Sequence, residues 1–318
     1  MLALAFAAAL LSAPPATTVS MPQTAAQTQV QEDDAPIDLQ DIVVEGRRLE
    51  DLTRDFVGEV GMPARGRGLA RWRDGVCVGV VNLRGETAQY IVDRVSTVAR
   101  ELGLKAGEPG CDPSVVVIAT IDSNAFTSAF VAERPRLFVV GASGMDLGRS
   151  ALRRFQATER PVRWWNVSVP VDSDTREIAV RIPGHAAPTI NVRGVSQLST
   201  QIVDDTRRSF VIVDVDKVSG VNLTQLADYL TMVTLAQINP DADTSGYATV
   251  LNLFQDPDRT EGLTNWDMAY LEGLYAAQRT RANVRASSGE IASSIVRVHH
   301  QMAEDAAKAE QMPDTAPD

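Results

Sequence analysis

The chain has 318 residues, 44% of them hydrophobic and 22% charged, with a net charge of −11. That length and apolar content suffice for one sizeable core. The negative balance excludes non-specific nucleic-acid binding as a main role. Lysine occurs only at 105, 217 and 308, so almost every basic residue is Arg. A GC-rich coding bias would produce this, and so would a need for guanidinium forks towards carboxylate or phosphate.

The first eleven residues form an apolar run too short to span a bilayer, and Ser12-Ala-Pro-Pro-Ala-Thr-Thr18 follows it. This is the pattern of a secretory signal, so residues 1–28 read as a signal peptide and the expected home is periplasmic or secreted. No integral membrane segment is expected after cleavage. Residues 29–49 read as a polar, flexible linker. Within it, Asp41-Ile-Val-Val-Glu-Gly-Arg-Arg48 resembles, over Ile42–Gly46, the short box near the mature N-terminus of TonB-dependent receptors. An extended tether or edge strand is the alternative reading. Residues 50–300 are expected to form a single α+β domain, and 301–318 a frayed acidic tail.

A short helix over residues 50–61 and a Gly/Arg-rich loop from Gly61 to Gly68 open the domain. Val76 to Leu83 is rich in β-formers. Glu86 to Leu102 has helical spacing and is closed by Gly103. Ser114 to Ile121 reads as a buried strand, which makes a strand–helix–strand unit long enough for a parallel crossover. Cys77 and Cys111 are the only cysteines. In an oxidising compartment they are expected to pair, tying the first strand to the start of the second.

Asn124 to Glu133 is a helix capped by Asp122 or Ser123. Seven Arg against two acids between Arg134 and Arg163 make the basic region of an acidic chain, either a solvated helix face or a surface for anions. Val162–Pro170 and Glu177–Ile182 read as a hairpin turned by Asp172-Ser-Asp-Thr175. Trp164 and Trp165 point to opposite faces of that strand, which leaves one of them for solvent, for a ligand or for packing under a loop. Leu198 to Asp216 adds one or two strands. A last helix runs from Ser288 to Lys308.

The stretch from Ser209 to Gln278 organises the rest. Phe210 to Asp216 is a strand. Asn222-Leu-Thr-Gln225 is a capping box, and the helix it opens, from Val221 to Ile238, is apolar nearly all round, so it is a buried central helix. An Asp-rich turn, an apolar segment from Tyr247 to Phe254 and a helix from Thr264 to Gln278 follow. This order, with Leu263-Thr-Asn-Trp-Asp267 and Leu274-Tyr275, resembles the C-terminal half of metzincin-type zinc peptidases. It is also similar to secreted bacterial proteins of an uncharacterised family with a degenerate form of that layout.

The resemblance implies a zincin-like fold and departs from it in chemistry. Zinc peptidases carry two His four residues apart with a Glu between them. Here Leu230, Thr231 and Thr234 stand in those places, and the chain has only His185, His299 and His300. No metal or cofactor is therefore expected. Nucleophile elbow, phosphate loop and dinucleotide fingerprint are also missing. Asp172/Asp174 and Asp241/Asp243 read as turn-forming pairs. The expected function is a metal-free binding or structural scaffold for an envelope protein or peptide. The alternative is a hydrolase with a carboxylate/Arg site. Thr231, Thr234, Gln237, Tyr247 and Arg163 are the candidate binding residues. The hydrolase reading requires a polar cleft holding a carboxyl group of perturbed pKa.

Overall fold

The computed structural model describes residues 39–140, 145–180, 182, 189–190, 199–281 and 283–311. Its elements, in order, are α1 (Leu39–Val60), β1 (Gly75–Val76), β2 (Val78–Val81), α2 (Gly85–Glu101), β3 (Lys105–Ala106) and β4 (Val115–Thr120). Then come α3 (Ser123–Glu133), α4 (Pro135–Phe138), α5 (Gly148–Ala157), β5 (Val162–Asp172) and β6 (Ile202–Asp214). The chain closes with α6 (Leu223–Leu235), a 3-10 turn at Val250–Asn252, α7 (Asn265–Ala276) and α8 (Val284–Gln311).

The main sheet has the order β2-β4-β6-β5. β2, β4 and β6 run parallel, and β5 is an antiparallel edge strand. The expected strand–helix–strand unit is β2–α2–β4. Gly103 ends α2 at φ +79°, the left-handed conformation in which glycine carries no Cβ penalty. The Cys77–Cys111 disulfide joins the two strand starts across 6.1 Å between Cα atoms. A Cβ on Gly107 would collide with the Cys111 sulfur.

Both faces of the sheet are covered, and the strand period of two divides the core. Trp164, Val211 and Val213 join one apolar cluster with α2, α6 and α7. Trp165, Phe210 and Ile212 join the other, with Phe138 and Phe155 from α4 and α5. Neither Trp is therefore left for solvent: Trp164 is 7% exposed and Trp165 4%. Each indole N–H donates to a carbonyl, of Ile238 and Phe138 respectively.

α6 is the buried central helix, with every residue from Gln225 to Leu235 buried. Such a helix must satisfy its terminal polar groups internally. At its start the Asn222–Gln225 box forms in both directions. At its end the side chains of the neighbours supply the donors. Asn166 reaches the Val233 and Ala236 carbonyls, Trp72 that of Thr234, and Tyr275 that of Leu235. α7 is capped by Thr264, whose box partner Asp267 is fully buried. Its Gly273 lets α8 approach so closely that a Cβ there would meet the Ile295 backbone.

Four expectations change. α1 reaches back to Leu39, so the stretch read as a linker to residue 49, with the box at 42–46, lies in a helix. Thr53, Phe56, Val57 and Val60 bury one face of it, and no proline lies between Pro36 and Pro63 to stop it. The Asp172 turn forms, with its carboxylate accepting from the Asp174 and Thr175 amides. Among the described residues of Glu177–Ile182, however, pairing with β5 is confined to the turn end, on the edge that β6 leaves free: Asp172 donates to the Glu177 carbonyl, Ala179 donates to that of Pro170, and Val171 bridges Ile178. α8 continues through Gln311, past the point where a tail was expected. Finally, the basic segment is not one surface. Arg134, Arg136, Arg149 and Arg153 are exposed, Arg154 and Arg160 pair with Asp241, and Arg163 is buried at 2% exposure.

Candidate functional site

The central helix presents no open site at the residues singled out from sequence. Thr231 and Thr234 are 0% and 1% exposed, and their hydroxyls donate to the carbonyls of Ala227 and Leu230 one turn back. Gln237 is buried and accepts from the Ala70 amide. Tyr247 packs its ring 4.8 Å from that of Phe56. Arg163 donates to the Phe155 and Gln156 carbonyls and to Ser123 and Asn124. The five candidates are thus not brought together. His299 packs edge-on to Trp266 on α8, and His185 lies outside the described residues. Asp241 pairs with Arg160 and Arg154, and Asp243 accepts from Ser245. Among the described residues no group of three His, Cys, Asp or Glu side chains is placed to hold a metal.

A polar cleft lies elsewhere, where the start of β6 meets the end of α7 and the start of α8. Its volume is about 240 Å³, and Arg67, Arg71, Asp204, Arg279 and Arg281 line it. Three local features build it. Gly66, at φ +75°, turns the chain so that Arg67 enters the protein. Asp204 and Asp205 are adjacent in β6, and both are buried. Asn283 caps α8 by accepting from the Ala286 amide at 2.7 Å, so the N-terminal turn of that helix opens onto the cleft.

The guanidiniums differ in how far they are engaged. Arg71 caps the end of α7 through the Leu274 and Ala277 carbonyls and lies over the Tyr275 ring. Burial, reinforced by Arg279, draws it down to about 10, so it stays a cation at neutral pH. Arg73 and Arg279 both bind Asp205, and Arg281 binds Glu290. Arg67 sits 2.9 Å from Asp204, both side chains 6% exposed. The angle is wrong for a hydrogen bond: Arg67 Nε and Nη1 and Asp204 Oδ1 have no hydrogen-bond partner among the described residues. Arg67 does donate from Nη2 to the Met145 carbonyl. Burial lowers Arg67. It pushes Asp204 up to about 6, against the pull of Arg67 and Arg279 and with help from Asp205.

Four guanidiniums (Arg67, Arg71, Arg279, Arg281) thus line the cleft against one carboxylate, Asp204, with Arg73, Asp205, Glu290 and Asp146 paired to or acting on members of the group. That excess of positive charge stands in a chain of net charge −11. Such a cleft concentrates anions. Sequence reasoning looked for basic character between Arg134 and Arg163 and missed this cluster. The available signals were the Arg71/Arg73 and Arg279/Arg281 pairs, and two acids side by side inside a strand. No protein-family model, curated protein or solved structure matches the chain.

Proposed function

We propose that this protein is an extracytoplasmic binding protein that takes a small anionic ligand in the arginine-lined cleft. The scaffold is read as zincin-like, without the zinc peptidase's ligands. The carrying observation is the pair at the cleft floor: Arg67 and Asp204 are buried, adjacent and short of hydrogen bonds. Buried polar groups are nearly always satisfied, so an unsatisfied pair facing a cleft suggests a partner from outside. The disulfide is compatible with an oxidising compartment. Among the described residues no helix is long and apolar enough to cross a membrane. The succession β6, α6, turn, 3-10 segment and capped α7 supports the zincin-like reading. Thr231 and Thr234 serve the core in that reading.

The test is calorimetric titration of the full chain with small anions, sulfate first. Arg279→Gln is the informative variant, because Asp205 keeps Arg73 as a partner. A charge-assisted hydrogen bond contributes about 1.5–3 kcal/mol, so affinity should fall roughly 10- to 100-fold. Arg149→Gln, on the exposed face of α5, should bind as the wild type does. Equal affinity in wild type and Arg279→Gln would sink the reading. A second reading, a hydrolase, draws on Asp204 alone: a carboxyl held at about 6 is suited to proton transfer near neutral pH.

A further inference from the structure

The cleft has a lining of two chemical kinds. Arg71, Arg279 and Arg281 supply charge, while Leu69, Ile202, Leu274, Val284 and Ile291 supply apolar surface. An inorganic ion would use only the first kind. A ligand with an anionic head and a short aliphatic body would use both, and its body would displace water from apolar surface.

The floor adds a constraint. Arg67 is 7% exposed and commits one N–H, from Nη2 to the Met145 carbonyl at 3.2 Å. Its Nε and Nη1 have no hydrogen-bond partner among the described residues, and Nη1 is held only by the ion pair to Asp204 Oδ1. Asp204 is thus an internal carboxylate lying where a ligand's anionic head would sit. Two anions cannot share that floor cheaply, since like charges at contact in a dry site repel strongly.

We propose that the ligand is a small organic anion with a short aliphatic body, and that it replaces Asp204 as the counter-ion of Arg67 while Asp204 takes up one proton. The proposal rests on the anion-binding reading above and deepens it. The step is balanced. The proton comes from solvent and adds to the Asp204 carboxylate, the incoming head group brings one negative charge, and the charge of the floor is unchanged. Protonated Asp204 then has an O–H to donate to the head group, so the competitor becomes a donor. The N-terminal turn of α8, capped by Asn283, faces the same space and favours the anion further.

The charged groups around Asp204 come from every neighbouring segment. Arg67 approaches from the Gly66–Gly68 loop, and Arg71 and Arg73 from the segment before β1. Asp205 comes from β6 itself, Arg279 from beyond α7, and Arg281 with Glu290 from the junction with α8. Asp146 also acts on Arg67. Among the described residues no histidine lines the cleft. Asp204 is the member of this group that burial pushes into the neutral range, to about 6.

Butane-1-sulfonate and sulfate are suitable probes, because neither changes its charge between pH 5.5 and 7.5. Calorimetry on the full chain should show butane-1-sulfonate binding more tightly than sulfate, and about 25-fold more tightly at pH 5.5 than at 7.5 for a group that titrates at about 6 when free. Titration at pH 7.5 in two buffers of different ionisation enthalpy should report uptake of close to one proton per ligand. This readout needs only the wild type, so it stands even if a variant fails to fold. Asp204→Asn should bind butane-1-sulfonate with the same affinity at both pH values. Binding of both probes without pH dependence or proton uptake overturns the exchange at Asp204. Equal affinity for the two probes overturns the aliphatic body. Absence of binding by either probe at either pH removes the anion-binding reading itself, and this proposal with it.

Discussion

Two groups of polar side chains are equally hidden in this molecule and differently employed. Around α6, Thr231 and Thr234 donate to their own helix, Gln237 accepts from Ala70, and the last carbonyls of the helix receive Asn166, Trp72 and Tyr275. Asp267, fully buried, accepts from the Thr249 hydroxyl, the Val250 and Thr264 amides, and the Thr264 hydroxyl. In the cleft, Arg67 and Asp204 are nearly as buried, yet much of their hydrogen-bonding capacity has no partner among the described residues. Burial alone therefore does not separate a core residue from a binding residue. Satisfaction and position together do: Tyr270 Oη and Trp266 Nε1 also lack a partner among the described residues but lie in the core, whereas Arg67 and Asp204 lack theirs where they line a cleft.

Substitutions can sharpen that contrast. The largest effect is expected at Asp267. Asp267→Ala orphans the Val250 and Thr264 amides, and each unsatisfied buried donor costs about 1–3 kcal/mol. Denaturant unfolding should show a loss of roughly 3–5 kcal/mol. A loss below about 1 kcal/mol would mean that water replaces the carboxylate and that the region is less closed than its geometry indicates.

Asp204 should show itself through pH. Its pKa rises from 3.8 in the unfolded chain to about 6 in the fold. Its titration therefore contributes stability that is fully present below 3.8 and lost as pH rises through about 6. One pKa unit corresponds to about 1.4 kcal/mol. Melting curves should thus show the wild type losing about 2–3 kcal/mol against Asp204→Asn between pH 4 and pH 7. A constant difference across that range would indicate that Arg67 and Arg279 compensate the buried charge in full.

The smallest effect belongs to the threonines. Thr234→Val keeps the shape and removes a hydroxyl whose acceptors, the Leu230 and Thr231 carbonyls, lie within the same helix. The expected change is about 1 kcal/mol or less, with sulfate affinity unaltered. Loss of ligand affinity in this variant would return α6 to consideration as part of the site.

Much of the fold was legible from residues close together in the chain. Asn222 with Gln225, Thr264 with Asp267 and Gly103 after Glu101 mark helix ends through contacts within a few residues, and each occurs as read. The all-round apolar character of residues 226–238 foretold a buried helix. The expected hairpin forms only beside its turn, at Val171 and Ile178, and β5 finds its long partner instead in β6, about forty residues on. The paired tryptophans likewise depend on distant elements. Their opposite orientations follow from the strand period, but that both faces are covered depends on where α4, α5 and α6 pack.

The amino-acid sequence by itself determined α2, α3, α6 and α7 with the local signals that bound them, the parallel crossover and the disulfide partners, because those depend on periodicity, short-range hydrogen bonds and a cysteine pair without competitors. Only the tertiary structure decided the site. Arg71 meets Ala277 across 206 residues, and Arg279 meets Asp205 across 74. The raised pKa of Asp204 has burial as its main cause. Desolvation belongs to a place in the folded chain, and no residue carries it in its own chemistry.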